Sequence, residues 1–123
     1  MRITTNIPED RIFDLLTTAF EGGSNYWVSS IEPRYPEGKA RKDYPLEGWW
    51  WHCSLPLVDG GAVIIHEGDG TETTLDRAAC ARGLELMSRE YPRHWADFLA
   101  ENDDAETADT FLQLAAFGEL VYG

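Results

Sequence analysis

Positive charge is scarce in this chain: ten Lys and Arg stand against 22 Asp and Glu, a formal net charge of −12. Direct nucleic-acid binding needs a basic stripe that displaces counterions, and the chain has none. An anionic membrane surface is disfavoured for the same reason. Long apolar runs are missing as well; nothing approaches the ~20 residues of a membrane span. The opening Met1-Arg2-Ile3-Thr4-Thr5-Asn6 is too polar for a secretory signal, so a cytoplasmic protein is expected. Cysteine is down to two, Cys53 and Cys80, far apart and without a second Cys at zinc spacing. Both sit among apolar or small neighbours and are expected to be buried free thiols. Internal repeats and low-complexity tracts are also lacking.

What is present suffices for a core. The 123 residues fit one domain, and 43% are hydrophobic, with five Trp, five Tyr and five Phe. Pro8-Glu9-Asp10 opens a helix with Pro at the first helical position, and Ile12, Leu15, Leu16, Ala19 and Phe20 recur on one face. Gly22-Gly23 should end it with a positive φ. Residues 25–29 read as a strand, 33–48 as a Pro- and Gly-rich surface loop, and 49–55, with its Trp49-Trp50-Trp51 run, as a strand. Residues 62–66 are another strand, and Asp69-Gly70 turns a hairpin into 72–75. Thr74 is the expected N-cap of a helix over 76–90 carrying Ala79, Gly83, Leu86 and Met87 on one stripe. Pro92 restarts a short helix holding Trp95, Phe98 and Leu99. Asp103 with Glu106 three residues on resembles a capping box for a last helix that ends at Gly118. The fold class is therefore α+β, a small antiparallel sheet of three or four strands packed with about four helices.

No pattern in the chain carries catalysis. His52, His66 and His94 lie in no HExxH, HxH or HxxE spacing, and no GxSxG elbow supplies a nucleophile. His66 is expected at a hairpin end and His94 as polar decoration of a first helical turn. The Gly22-Gly23 pair ends a helix instead of starting one, so it does not cradle a phosphate. No cofactor and no metal site is expected, and the protein is read as something other than an enzyme.

The acidic excess is uneven. From His94 onward there are seven acids and no Lys or Arg, leaving fifteen of the 22 acids and all ten bases before it. Asp97, Glu101, Asp103, Asp104, Glu106 and Asp109 form a row of carboxylates on the C-terminal helices, without the Asp-x-Asp-x-Asp-Gly spacing of a calcium loop. Such a row attracts a basic surface. Tyr26 and Trp27 are candidate aromatic contacts, one of which must face outward if they lie in a strand. Trp50 points opposite to Trp49 and Trp51 in the expected strand, towards a covering helix, a partner or a second copy in a homodimer.

Three stretches carry a resemblance: residues 21–27 (EGGSNYW), 91–95 (YPRHW) and 102–122 (NDDAETADTFLQLAAFGELVY). Together they resemble small proteins of tailed bacteriophages, prophages and plasmids that have no assigned activity, so no functional residue is carried over. The resemblance implies a genomic setting in which small acidic proteins often inhibit host defence, as anti-CRISPR proteins do. The expected function is thus an acidic phage-type inhibitor, anti-CRISPR-like, that binds the basic, nucleic-acid-gripping groove of a host protein or ribonucleoprotein complex. The alternatives are a nucleotide binder or sponge that stacks its ligand on exposed aromatics beside Lys39, Arg41 and Lys42, and a homo-oligomeric phage accessory protein.

Overall fold

The computed structural model describes residues 7–44 and 50–123, with Trp50 and Trp51 described as backbone only. Helix α1, Glu9–Thr18, starts one residue later than expected: Pro8 is the extended N-cap, and Glu9 and Asp10 occupy the first turn, where acids favour the dipole. Leu15 and Leu16 are fully buried. The helix does not stop on a positive φ at Gly22-Gly23. Its last turn instead widens into a π-helical turn, Ala19–Gly23, closed by the Ser24 N–H on the Ala19 carbonyl at 2.8 Å. The reason for Gly23 is proximity, because a Cβ there would fall 2.5 Å from the Ala105 carbonyl oxygen.

Three antiparallel strands follow in the order β1-β2-β3: β1 Val28–Arg34, β2 Ala62–Glu67 and β3 Glu72–Leu75. Ile65 in the middle strand pairs with Ile31 on one side and Thr73 on the other. β1 begins later than expected and runs through Pro33, a residue assigned from sequence to a loop. An edge strand tolerates the missing N–H. The β2–β3 hairpin turns at Gly70 (φ 91°), with Asp69 Oδ1 accepting the Thr71 N–H at 2.9 Å. The expected strand over 49–55 is instead a 3₁₀ helix, Trp50–Leu57, with Pro56 inside it. This segment packs across β2 and α1 without joining the sheet. The alternating-face argument for Trp50 therefore falls, and its side chain lies outside the described residues.

Helix α2, Arg77–Glu90, is capped by Asp76, whose carboxylate accepts the Ala79 N–H at 2.9 Å; Thr74 is not the cap but sits in β3 opposite Ile64. Helix α3, Pro92–Leu99, has Pro in its first turn. Helix α4, Ala105–Phe117, closes on Gly118 in the left-handed region (φ 78°). From Thr107 to Ala115 every residue of α4 except Asp109 is buried, so this helix is the axis of the core. α2 crosses it closely: a Cβ on Gly83 would lie 2.8 Å from that of Ala115. Phe98, Phe111, Leu112, Leu114, Met87 and Ile65 fill the space between the helices and the sheet. Cys53 and Cys80 are buried free thiols, and burial pushes each up to about 12. No helix among the described residues is long and apolar enough to cross a membrane.

Candidate functional site

The six carboxylates singled out in the sequence do not form one uniform row. The structure divides them between internal work and the surface. Asp104, not Asp103, is the N-cap of α4 and accepts the Thr107 N–H at 3.0 Å. That bond holds its carboxyl below the usual aspartate range. Asp103 is turned away to Arg11, at 3.1 Å, with both side chains largely covered (19% and 10% exposed). The same guanidinium donates to the Phe98 carbonyl and lies 4.5 Å from the centre of the Phe98 ring. Arg11 thus fastens α1 to the turn between α3 and α4.

Asp109 is the most heavily bonded of the six. Oδ1 accepts from Ser24 Oγ (2.7 Å) and Trp27 Nε1 (2.8 Å); Oδ2 accepts from Tyr26 Oη (2.6 Å) and Gln113 Nε2 (3.0 Å). A carboxylate has about four lone-pair sites, and here each has a donor. The π-helical turn makes this possible by delivering Ser24 and the following turn to the flank of α4. The sheltered hydroxyl of Tyr26 and its bond to the Asp109 carboxylate push that phenol up to about 12.

Tyr26 and Trp27 lie in a turn ahead of β1, not in a strand, yet they do split: Tyr26 is 59% exposed and Trp27 4%. The indole stacks on Tyr122 (centroids 5.3 Å apart, planes at 6°), so its face is occupied from within the chain. Tyr122 belongs to the tail after α4. Gln113 holds that tail, its Oε1 accepting the N–H groups of Val121 and Tyr122 at 2.8 Å each and its Nε2 donating to the Tyr122 carbonyl at 3.2 Å. The Tyr122 hydroxyl donates to the buried Glu67, a bond that, with shelter from water, pushes this phenol up to about 12 as well. Lys39, Arg41 and Lys42 follow the far end of β1, a strand of seven residues that spans ~20 Å from the turn holding Tyr26. The fold does not bring the aromatic pair and the basic cluster together.

His94 is more than decoration. Its Nδ1 is 2.9 Å from Thr107 Oγ1 and its Nε2 3.6 Å from Glu106, so it bridges α3 and α4. His66 sits near the hairpin as expected and bonds Glu32 at 2.9 Å. Among the described residues, no group of three or more His, Cys, Asp or Glu is placed to hold a metal ion.

What remains on the surface is an acidic face that extends beyond the C-terminal helices. The Arg11–Asp103 pair and the contact of Gly23 with Ala105 set α1 beside the α3–α4 turn. Exposed Asp10, Asp14 and Glu21 from the α1 side thereby join exposed Glu101, Asp104 and Glu106, with Asp97 half-buried at the edge. Among the described residues, Arg11 is the one Lys or Arg ion-paired to this group, and Asp103 takes it. Sequence inspection missed the α1 contribution because the helical spacing of Asp10 and Asp14 places them on one face without saying which neighbour that face adjoins.

No family model, curated protein or solved structure matches this chain at a significant level. Any functional assignment therefore rests on the residues themselves.

Glu101 is set apart by its backbone. It occupies the left-handed region (φ 59°) just past α3, with its N–H on the Phe98 carbonyl (3.1 Å) and the Asn102 N–H on the Asp97 carbonyl (2.8 Å). This is a Schellman closure with a glutamate where glycine usually stands. A groove of about 390 Å³ opens beside it, between the start of α1 and the end of α3.

Proposed function

We propose that this chain is a binding protein, acting without catalysis, whose acidic face docks on a basic protein surface of the kind that otherwise grips nucleic acid. One observation carries the reading: exposed Asp10, Asp14, Glu21, Glu101, Asp104 and Glu106 lie on the side of α1 and the α3–α4 turn, and among the described residues none of them is ion-paired to a Lys or Arg, Arg11 being engaged by Asp103. Unpaired charges of one sign steer a partner of the other sign and raise the association rate. The part of the sequence expectation that concerned Asp103, Asp104 and Asp109 is narrowed here, because all three are engaged inside the fold, and Asp97 is half-buried; Asp10, Asp14, Glu21, Glu101 and Glu106 are the contact residues in this reading.

The test is binding of the full chain to a panel of purified nucleic-acid-binding proteins, with duplex nucleic acid as competitor. A true partner is displaced by the duplex and loses at least tenfold in affinity between ~50 and ~300 mM salt. Asp14→Lys with Glu106→Lys should remove binding, and Glu37→Lys with Glu72→Lys, an equal charge change elsewhere on the exposed surface, should spare most of it. Equal losses in the two double variants would show that net charge alone is at work and would defeat the assignment to this face.

A further inference from the structure

The groove between α1 and α3 has two chemistries side by side. Ile7, Pro8 and Leu99 supply apolar surface above the buried Phe98, and Asp10 and Glu101 stand at the rim. Leu99 is 57% exposed, whereas the other large exposed hydrophobics, Tyr26, Leu120 and Val121, belong to the turn before β1 and to the tail. Neither Asp10 nor Glu101 is in an ion pair among the described residues. Among the described residues the one cation lining the groove, Arg11, is held back by Phe98 and Asp103.

We infer that this groove receives one large apolar side chain from a Lys/Arg-rich protein segment, with the flanking cations of that segment meeting Asp10 and Glu101. The inference rests on the acidic-face reading and gives its partner a second feature. Charge complementarity selects the segment: an apolar floor ringed by unpaired carboxylates repels acidic peptides and nucleic acid alike, and a purely cationic chain leaves the floor wet. Interfaces of this kind derive affinity from a central buried anchor, with rim charges supplying direction and rate. The volume suits a side chain and its immediate backbone, not a folded domain or a flat surface.

Two blocked peptides of equal charge separate anchor from charge: Lys-Arg-Lys-Leu-Arg-Lys-Arg, and the same peptide with Ala at the centre. Titrated into the full chain at low salt, the Leu peptide should bind about tenfold more tightly, the ratio expected for burying most of a leucine side chain. Leu99→Ser, an exposed substitution, should erase that preference and leave the Ala peptide unchanged. Asp10→Asn with Glu101→Gln should weaken both peptides. Equal binding of the two peptides by the unaltered chain, or a preference that survives Leu99→Ser, overturns the anchor and leaves the acidic-face reading standing. No binding of either peptide overturns both.

Discussion

The indole Nε1 of Trp27 lies 2.8 Å from Oδ1 of Asp109, a bond that spans 82 residues of sequence. It is one of four donors converging on that carboxylate, and the arrangement makes Asp109 a fastening for the turn ahead of β1. A carboxylate this well provided for has no lone pair left for a partner. Its charge contributes to the field of the molecule, but its oxygens are committed.

Asp109→Asn tests that commitment. The amide offers one oxygen and one NH2, and whichever way it lies, one fixed N–H donor, Trp27 Nε1 or Gln113 Nε2, meets hydrogen atoms, while the hydroxyl on that side must turn to accept. Stability should fall by about 2–3 kcal/mol, the range for donors left unsatisfied in a partly buried site. Urea unfolding followed by tryptophan fluorescence reads this directly. A loss under about 0.5 kcal/mol would place the cluster among dispensable surface bonds.

Glu101 should show a trade-off. Replacing it with Gly relieves a left-handed backbone that ordinary residues adopt at a penalty, and stability should rise by about 0.5–1 kcal/mol. In the same variant, affinity for a basic partner should drop. A thermal melt and a binding titration on one preparation check both. If Glu101→Gly gains stability and keeps full affinity, the glutamate has no role at the rim.

Two phenols give the fold an alkaline limit. Tyr122, through its bond to Glu67, and Tyr26, through shelter and Asp109, are each pushed up to about 12. The folded state favours the neutral phenol, so the contribution of these bonds is complete below the ordinary tyrosine value of ~10. It is lost as pH rises from there through about 12. Ultraviolet titration should find Tyr26 and Tyr122 ionising late. Tryptophan emission should shift in step, as Trp27 loses its stacking partner. Asp104 sets the opposite limit. Its carboxyl is lowered by the Thr107 N–H, so the cap is present above the ordinary aspartate value of ~3.9 and is lost as pH falls past its own lower one.

Three features of the fold are readable for a shared reason. Leu15 and Leu16 in α1, Gly118 after α4, and Asp69-Gly70 between β2 and β3 are local signals, and the fold agrees with them. The α4 cap shows where such signals stop. Asp103 with Glu106 has the capping-box spacing in sequence, yet Asp104 caps the helix while Arg11, 92 residues away, takes Asp103. The 3₁₀ helix at Trp50–Leu57 reads as a strand because aromatic residues favour strands, whereas this segment, with Pro56 inside it, packs against β2 and α1 outside the ladder. The acidic face was half visible. Its C-terminal carboxylates stand in a run, whereas Asp10, Asp14 and Glu21 join them only through the packing of α1.

Gln113 does more than secure a loose end. Its oxygen meets two successive N–H groups and its nitrogen meets the next carbonyl, so one amide reads both the direction and the frame of the segment laid across it. Sliding that segment by a residue, or reversing it, would set like poles against each other. The final residues therefore carry a docking address written on a single side chain of the central helix, and insertions after Gly118 would lengthen the approach without changing the berth.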